Sequence, residues 1–342
     1  MKKLKTCFKY GQIYIYSVHS FISFFEKMKK SEIKKIFSHY KLGQVEDIYK
    51  IEVGFTNKVY SINENFILKV CEDVENEVNF RKEVFFYDLF KESLPVPKIS
   101  VYDNTKGLYD KDFIIYPKIQ GDNLYSKWHL MSDNERKNMI KQLCQILKTI
   151  NATPYKQYLK EFKISEKTIW HDKIVNEINS SLKHIEKESL LPDEFSSAIR
   201  KFVKQNHEVL REQKMGLVYW DSHFDNILVR NNKIVGILDF ERTEFLSIDF
   251  VLDIVKRMQE FPSKYMSEES EKFAKKKDYQ NLLKWFEIFY PELFKFKNLD
   301  KRLALYTLEH DLKDIIGWPN VKELKEIVAK TIKYTKTIST LC

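Results

Sequence analysis

The sequence predicts an α+β fold, with a small antiparallel-sheet lobe followed by a larger lobe that is mostly helical. Between residues 43 and 116, short runs rich in β-branched and aromatic residues alternate with turn residues, as expected for an antiparallel sheet. From residue 117 to 342, apolar residues recur mainly with helical spacing, apart from one hairpin at residues 226–239. The length of 342 residues suffices for two such lobes. Residues 1–42 are expected to form an N-terminal extension and a helix.

The first predicted helix spans residues 28–42, with Ser31 as its cap and Ile33, Ile36 and Phe37 on one face. The segment before it begins with Met1-Lys2-Lys3 and an apolar run at 13–25, which resembles a signal peptide. Serines and a histidine interrupt that run and no small-residue cleavage site follows it, so secretion is not expected. We expect residues 1–27 to be peripheral, and a chain that starts at Met28 to fold.

Strands in the small lobe are predicted at 49–53, 59–62, 66–70, 98–102 and 113–116, and the turn Asn63-Glu64-Asn65 makes a hairpin of the second and third. A helix is predicted at 75–90, with Val78, Phe85 and Leu89 setting its periodicity. The prolines of Leu94-Pro95-Val96-Pro97 end it. The join near Tyr116-Pro117 is a candidate hinge between the lobes.

Composition and charge indicate a globular protein and argue against a nucleic-acid-binding one. Hydrophobic residues make up 43% of the chain, which is enough for a substantial core. The net charge of +9 suggests nucleic acid, but the 58 basic residues are mostly lysines scattered along the chain. Nucleic-acid surfaces favour clustered arginines, whose planar groups bind in a bidentate way. We therefore expect no nucleic-acid partner.

Cysteines and apolar runs bear on the compartment. Cys7, Cys71, Cys144 and Cys342 are far apart and show no metal-binding spacing, so reduced thiols are expected. No apolar run approaches the ~18 residues that a membrane span requires. We expect a cytoplasmic protein with no membrane partner, as a monomer or weak dimer.

The strongest functional signal surrounds the hairpin at 226–239. Its centre is Asn231-Asn232, and asparagine tolerates the positive φ angles of a two-residue turn. That turn places Asn226 and Asp239 at the same open end of the hairpin, and the loop holding Asp221 leads into this end. One amide and two carboxylates without soft ligands suit Mg²⁺ and phosphate chemistry.

The spacing of these residues resembles that of the aminoglycoside phosphotransferase family, relatives of the choline kinases with a protein-kinase-like fold. The family pattern is close to His-Gly-Asp-x-His-x-x-Asn followed by Ile-Asp-Phe/Trp-Glu, and this chain has Tyr219-Trp220-Asp221-Ser222-His223-Phe224-Asp225-Asn226 and Leu238-Asp239-Phe240-Glu241. The resemblance implies that Asp221 is the catalytic base and that Asn226 and Asp239 bind Mg²⁺. It also implies ATP or GTP as the phosphoryl donor.

Two departures from the family pattern leave an alternative open. Tyr219 replaces a histidine that acts largely as a structural brace, and Trp220 replaces a glycine. Tyrosine can supply the brace's hydrogen bond, whereas Trp220 would reshape the substrate entrance. The alternative function is a pseudokinase-like nucleotide-binding or scaffold protein.

The small lobe carries the residues expected to bind the nucleotide. Gly54-Phe55-Thr56-Asn57-Lys58-Val59-Tyr60 resembles the family's nucleotide loop, and its expected contacts come from Gly54, Thr56 and Asn57. Lys69 lies between apolar neighbours on a strand, where its ammonium group needs phosphates or a carboxylate as partner. Glu83 is the better match to that carboxylate, and Glu77 is a rival. Residues 113–121 resemble the connector that holds the adenine.

The large lobe is expected to bind the acceptor. Asp249 and Asp253 keep a four-residue spacing that the family shows, and Asp253 either braces the catalytic loop or caps the next helix.

Near the C-terminus, a cluster of acidic residues beside one tryptophan would receive a cationic acceptor, or else forms a solvated helix face: Glu309, Asp311, Asp314 and Trp318. The sequence does not distinguish four classes of molecule that could carry the acceptor hydroxyl: an aminoglycoside, a choline-like amine, a sugar or an amino alcohol.

Overall fold

The computed structural model describes residues 28–51, 57–72, 76–167, 169–266 and 268–317. Its first part is a five-stranded antiparallel sheet in the order β1-β2-β3-β5-β4. The strands are β1 (Ile48–Ile51), β2 (Asn57–Ile62), β3 (Phe66–Cys71), β4 (Val101–Asp103) and β5 (Phe113–Pro117). The predicted hairpin of β2 and β3 is present, and Asn63 and Glu64 in its turn have φ angles of 50° and 57°.

Helix α1 (Lys30–His39) buries Ile33, Ile36 and Phe37 as predicted, but its predicted cap is wrong. Ser31 lies inside the helix. The backbone N–H of Lys29, one residue before the helix, donates to Glu32 Oε2 at 2.6 Å. The helix therefore begins earlier than the serine indicates, because a carboxylate in its first turn satisfies a backbone donor.

Helix α2 (Glu77–Phe90) presents a different face to the core from the predicted one. Val78 is 53% exposed, and Phe85 and Leu89 are only partly buried. The buried face carries Phe80, Glu83, Phe86, Tyr87 and Phe90. Aromatic residues occur all around this helix, so the spacing alone did not select the face. The ion pair that Glu83 forms with β3 lies on the buried face.

The large lobe is mostly helical. Its helices are α3 (Leu124–Trp128), α4 (Asp133–Ala152), α5 (Lys156–Glu161), α6 (Trp170–Lys187), α7 (Asp193–Asn206), α8 (Val251–Glu260), α9 (Glu268–Glu271), α10 (Leu282–Phe289) and α11 (Leu299–Gly317). Its strands are β6 (Asp122–Asn123), β7 (Met215–Tyr219), β8 (Ile227–Arg230), β9 (Lys233–Ile237) and β10 (Thr243–Ser247). The pair of β7 with β10 and the addition of β6 to β8 were not predicted.

The predicted hairpin is formed by β8 and β9. Its turn residues Asn231 and Asn232 have φ angles of 51° and 55°, as a two-residue turn of this kind requires. A bulge between Leu228 and Val229 shifts the register by one residue, so that Ile227 pairs with Ile237. The next ladder bond runs from Leu238 N–H to the carbonyl of Asn226 at 2.9 Å. Asp239 therefore follows directly after the residue that pairs with Asn226.

Two clusters of buried apolar residues hold the molecule together. The smaller covers one face of the five-stranded sheet and includes Phe37 of α1. The larger runs through the helical lobe and extends to Phe80, Phe86 and Phe90 of α2. Helix α2 therefore shares its core with the helical lobe.

In the described residues, Cys71 and Cys144 are buried free thiols, and no helix is both long and apolar enough to cross a membrane.

Candidate active site

The loop predicted to be catalytic, called the catalytic loop below, follows β7 directly. Asp221 lies two residues beyond the strand, and a 3₁₀ turn at Phe224–Asn226 brings Asn226 back beside it. The side-chain nitrogen of Asn226 donates to the backbone oxygen of Asp221 at 3.0 Å, and it lies 3.2 Å from Nε2 of His223. These contacts use the amide nitrogen, so the amide oxygen is the atom left to act as a metal ligand.

Tyr219 supplies a brace between the two halves of the site. Its fully buried hydroxyl donates to the carbonyl of Leu238 at 2.7 Å, one residue before Asp239. Its ring stacks on Phe240 with centroids 4.7 Å apart. Tyr219 thus holds the backbone on both sides of the loop. It supplies a bracing hydrogen bond, as expected for a tyrosine that replaces the histidine of the family pattern.

Asp239 adopts a left-handed backbone conformation, with φ at 59° and ψ at 64°. This conformation is uncommon outside glycine and needs support from its surroundings. The support comes from α2, because the backbone N–H of Asp239 donates to the hydroxyl of Tyr87 at 3.0 Å. Tyr87 in turn donates to Glu83 Oε1 at 2.6 Å. One tyrosine therefore couples the backbone of Asp239, the predicted metal ligand, to the helix that holds Glu83.

Lys69 lies at the centre of this group. Its ammonium nitrogen is 2.5 Å from Glu83 Oε2 and 3.4 Å from Asp239 Oδ1. Burial opposes its charge, but the carboxylates of Asp239, Glu83 and Glu241 outweigh burial and raise the pKa of Lys69 well above its ordinary value. Lys69 is therefore a permanently charged group that can receive phosphate oxygens.

A second carboxylate lies near Asp239. Oxygen atoms of Glu83, Asp239 and Glu241 all lie within 4.8 Å of one another. Burial and the charges of Asp239 and Glu83 raise the pKa of Glu241 to about 7, which shows that negative charge is crowded here. Asn57 on β2 donates to Glu241 Oε2 at 3.2 Å. Crowded carboxylates together with the Asn226 amide form a hard-oxygen set that fits Mg²⁺.

Asp221 is partly buried, with 18% of its side chain exposed. Burial raises its pKa above the ordinary value, the electrostatic effects of His223, Arg242 and His310 lower it, and Asp239 raises it. His223 Nε2 lies 3.4 Å from Asp221 Oδ1. Because its pKa is raised, the ionised carboxylate of Asp221 is more basic than that of a solvent-exposed aspartate.

A cavity of about 320 Å³ opens beside the catalytic loop. Trp220, the residue before Asp221, lines it and packs against Phe250 and His310. The remaining lining residues include three carboxylates and three cations from three stretches of the chain: Glu177, Glu244, Glu309, Lys173, Lys313 and Arg242. This volume lies at the lower end of the roughly 300–1,000 Å³ of small-molecule sites.

A model of the phosphotransferase enzyme family (APH) matches residues 47–253, more than half of the chain. The chain belongs to this family. The resemblance seen in the sequence is therefore confirmed. Among curated proteins, none matches the sequence significantly.

Solved structures of aminoglycoside phosphotransferases share the fold of this phosphotransferase. The ADP-bound structure of APH(2'')-Ib is 19% identical with a TM-score of 0.64, over 89% of this chain and 97% of that chain. An APH(2'') enzyme in complex with GDP and kanamycin is 14% identical with a TM-score of 0.65, over 91% and 99%. APH(4)-Ia with AMP-PNP and hygromycin B is 16% identical with a TM-score of 0.60, over 90% and 97%. The predicted two-lobed, kinase-like α+β fold is confirmed.

In this phosphotransferase, the predicted site residues meet at the junction of the sheet and the hairpin. Lys69 pairs with Glu83, whereas the rival Glu77 binds Lys106 at 2.5 Å near the surface. Asp239 contacts Lys69, and Asn57 donates a hydrogen bond to Glu241, which lies beside Asp239. Gly54, Thr56 and Trp318 lie outside the described residues. The roles assigned to all these residues stay predictions.

The acidic residues of α11 do not form the solvated helix face that was one of the two predictions for them. Glu309, Asp311 and Asp314 are all buried, so that alternative is wrong. Glu309 lines the cavity and pairs with Lys313, whereas Asp311 accepts a bond from Arg257 at 2.8 Å. Asp314 lies 3.8 Å from His310. Of the three, Glu309 alone is a lining residue, and acceptor binding by any of them stays a prediction.

Asp249 and Asp253 act as anchors for α11. Asp249 is fully buried and binds Arg302 through both oxygens, at 2.7 and 3.0 Å. Asp253 accepts a bond from Arg257 at 2.8 Å and from Thr307 at 3.1 Å. Among the described residues, no hydrogen bond joins Asp253 to the catalytic loop. It lies in the first turn of α8 and ties that helix to α11.

Sequence reasoning missed three residues of the site: Tyr87, Glu241 and Arg242. Tyr87 follows Glu83 by one helical turn, a spacing that places two side chains on the same face and so could have indicated the contact. Glu241 belonged to the motif but was not assigned a role. Arg242 gave no signal, because its significance depends on what surrounds it in the cavity.

Proposed function

We propose that this phosphotransferase transfers the terminal phosphoryl group of ATP or GTP to a hydroxyl group of a small molecule. The arrangement that supports this most directly is the convergence of Asp221, Asn226, Asp239 and Lys69 at one end of the hairpin. Aminoglycosides, choline-like amines, sugars and amino alcohols are the acceptor classes considered. Buried free thiols at Cys71 and Cys144 fit a reducing compartment, and we propose the cytoplasm.

The residues of the chain divide the work between the donor and the acceptor. Lys69 binds and neutralises phosphate oxygens, and Glu83 with Tyr87 holds the ammonium group and the Asp239 backbone in place. Asp221 orients the acceptor hydroxyl and takes its proton. Catalysis then depends mostly on positioning and on stabilisation of charge.

Asn226 and Asp239 are the proposed Mg²⁺ ligands, with Glu241 close enough to contribute through an oxygen. When bound, Mg²⁺ would supply positive charge that offsets the negative charge of the nucleotide phosphates. The hydrogen bonds of Asn226 to the Asp221 carbonyl and of Asp239 to Tyr87 fix both ligands before any metal arrives. Such preorganisation lowers the cost of binding.

Thermal unfolding with and without nucleotide tests this proposal. ATP or GTP at millimolar concentration with Mg²⁺ should raise the melting temperature, because a ligand that binds only the native state stabilises it. Nucleotide consumption with an acceptor panel should then depend on Asp221. Binding without consumption would favour the pseudokinase-like alternative that Tyr219 and Trp220 suggest. No binding of either nucleotide would refute the kinase proposal.

A further inference from the structure

Arg242 differs from the other two cations that line the cavity. Lys173 lies 2.7 Å from Glu177 and 3.8 Å from Glu244. Lys313 lies 2.6 Å from Glu177 and also pairs with Glu309. Each lysine therefore has two carboxylate neighbours. In the part of the chain that the structure describes, Arg242 makes neither a hydrogen bond nor an ion pair, and its Nε is buried without a hydrogen-bond partner. The carboxylates of Asp221 and Glu241 are close enough for the charge of Arg242 to lower their pKa, but neither is bonded to its guanidinium group.

Arg242 is only partly buried, but its buried Nε donor has no hydrogen-bond partner, and a bound ligand could supply one. Arginine stays charged at every physiological pH, and its planar fork matches a carboxylate or a phosphate. A buried donor that has no partner loses the hydrogen bonds it had in water. Arg242 follows Asp239 by three residues and lines the same cavity as Trp220, the residue before Asp221. This cavity is the proposed acceptor side of the site.

We propose that the acceptor carries an anionic group, a carboxylate or a phosphate, besides its reacting hydroxyl, and that Arg242 binds this group. The inference rests on the proposed kinase function and narrows its acceptor class. All three carboxylates that line the cavity among the described residues, Glu177, Glu244 and Glu309, already contact a lysine. None of them is therefore left unpaired to bind a polycation. A cationic acceptor would be repelled by the positive charge of Arg242 in the cavity wall. The cavity of about 320 Å³ suits an acceptor of a few carbons or one sugar ring.

The deciding experiment is calorimetric titration of the full chain in the absence of nucleotide, so that its outcome does not depend on turnover. Three pairs of probes differ mainly in the anionic group: glycerate and glycerol, threonine and threoninol, ribose 5-phosphate and ribose. Choline and kanamycin serve as cationic probes. The carboxylate and phosphate arms show which anion the site receives.

The wild-type chain should bind the anionic member of at least one pair roughly tenfold to a hundredfold more tightly than its neutral or cationic counterpart. Arg242→Gln should abolish that preference, and Arg242→Lys should keep part of it, since charge remains but the fork is lost. Arg230→Gln makes the same chemical change at an exposed residue of the β8–β9 hairpin and should leave the preference intact. Thermal unfolding checks that each variant is folded.

Two results would overturn the proposal: no preference for any anionic probe, or a preference that survives in Arg242→Gln. Steady-state kinetics gives a third test, because Arg242→Gln should raise the acceptor KM and leave the nucleotide KM unchanged. A rise in the nucleotide KM alone would mean that Arg242 serves the donor phosphates. If no nucleotide is bound or consumed, the kinase proposal fails, while the titrations still decide whether Arg242 binds anions.

Discussion

At the scale of single residues, two tyrosine hydroxyls hold the backbone around the reaction centre. Tyr219 binds the carbonyl of Leu238, and Tyr87 binds the backbone N–H of Asp239. The left-handed conformation of Asp239 is thus supported from the catalytic loop and from α2. This support leaves the carboxylate of Asp239 on the side of Lys69, where metal and phosphate would meet.

The two catalytic carboxylates should have separable effects. Asp239→Ala should abolish Mg²⁺-dependent nucleotide binding, because it removes a charged metal ligand and a partner of Lys69. Asp221→Ala should leave that binding within about twofold and reduce turnover by at least about a hundredfold, the scale of general-base catalysis. Calorimetry with Mg²⁺ and a nucleotide measures the first effect and steady-state rates the second. An equal loss of nucleotide affinity in both variants would refute this division of roles.

The pH dependence of the rate should respond to His223. Asp221 must be ionised to act as a base, and burial already raises its pKa above the ordinary value, while His223 lowers it. His223→Gln should therefore raise that pKa further, so that the acid limb of kcat/KM moves to higher pH. A change at the exposed His39 on α1, His39→Gln, serves as the control and should leave the profile unchanged. An acid limb that stays in place would show that another group controls it.

At the scale of elements, buried ion pairs fix α11 to the rest of the helical lobe. Asp249 binds Arg302 through both oxygens, and Arg302 is itself fully buried. Arg302 also donates to the carbonyls of Val209 and Glu212, so one side chain joins three segments. Glu309 and Lys313 on the same helix reach the cavity. The position of α11 therefore sets the shape of the acceptor side.

Breaking the buried pair should be far more costly than breaking an exposed one. Arg302→Met should lower the free energy of unfolding by about 3–5 kcal/mol, because Asp249 is left buried without its partner. Arg200→Met removes an exposed pair with Glu186, whose side chains are 45% and 35% exposed, and should cost at most about 1 kcal/mol. Urea unfolding of both variants provides the comparison. Similar losses in the two would show that burial does not decide the value of the Arg302 pair.

The carboxyl pair of Glu177 and Glu309 should make stability depend on pH. Burial and the neighbouring Glu177 raise the pKa of Glu309 to about 8, whereas an unfolded glutamate titrates near 4.5. The folded state therefore holds this proton more tightly, and the resulting stability is lost as pH rises from about 4.5 to about 8. Glu309→Gln can still donate to Glu177 and should remove this loss.

Urea unfolding between pH 6 and 8.5 measures this effect. The free energy of unfolding of the wild-type chain should fall relative to Glu309→Gln by about 2 kcal/mol over this range. Glu177→Gln should instead be destabilising throughout, because Lys173 and Lys313 lose a shared partner. Parallel curves for the wild type and Glu309→Gln would mean that Glu309 is already ionised at neutral pH.

At the scale of the whole molecule, helix α2 joins the sheet to the catalytic lobe. Phe86, Tyr87 and Phe90 contact Phe240 with ring centroids 5.6–6.1 Å apart. The segment after α2 adds a backbone bond, from Ile237 N–H to the carbonyl of Pro95 at 2.7 Å. The residues proposed to bind nucleotide on the sheet and those proposed to bind metal on the hairpin are therefore held by one aromatic core.

A chain that begins at Met28 should fold and bind nucleotide like the full-length protein. Met28 is buried, and its backbone nitrogen donates to the hydroxyl of Tyr60 at 3.2 Å. A new α-amino group at this position keeps a donor for Tyr60, so the loss of stability should not exceed about 1 kcal/mol. Thermal unfolding with and without Mg²⁺ and nucleotide compares the two chains. Failure of the short chain to fold would show that residues 1–27 contribute to the core.

The sequence by itself determined the features that depend on local pattern. The asparagine pair fixed the turn of the β8–β9 hairpin, because few other residues accept positive φ angles. That turn, with the spacing of Asp221, Asn226 and Asp239, placed these three candidate site residues at one end of the hairpin. Lys69 was identified because a charged residue between apolar strand neighbours requires a partner.

Only the tertiary structure decided the features that depend on contacts between distant segments. It selected Glu83 over Glu77 as the partner of Lys69, and it turned a different face of α2 toward the core. Asp311 is buried because Arg257, on another helix, neutralises it, and no pattern within α11 encodes that partner. Arg242 stands out for the opposite reason, since the described chain gives it neither a hydrogen bond nor an ion pair. The sequence does not distinguish a charged residue that is solvated from one that is paired or one that binds a ligand. The free energies of these three states differ because the surrounding fold sets the burial of the charge and its partners.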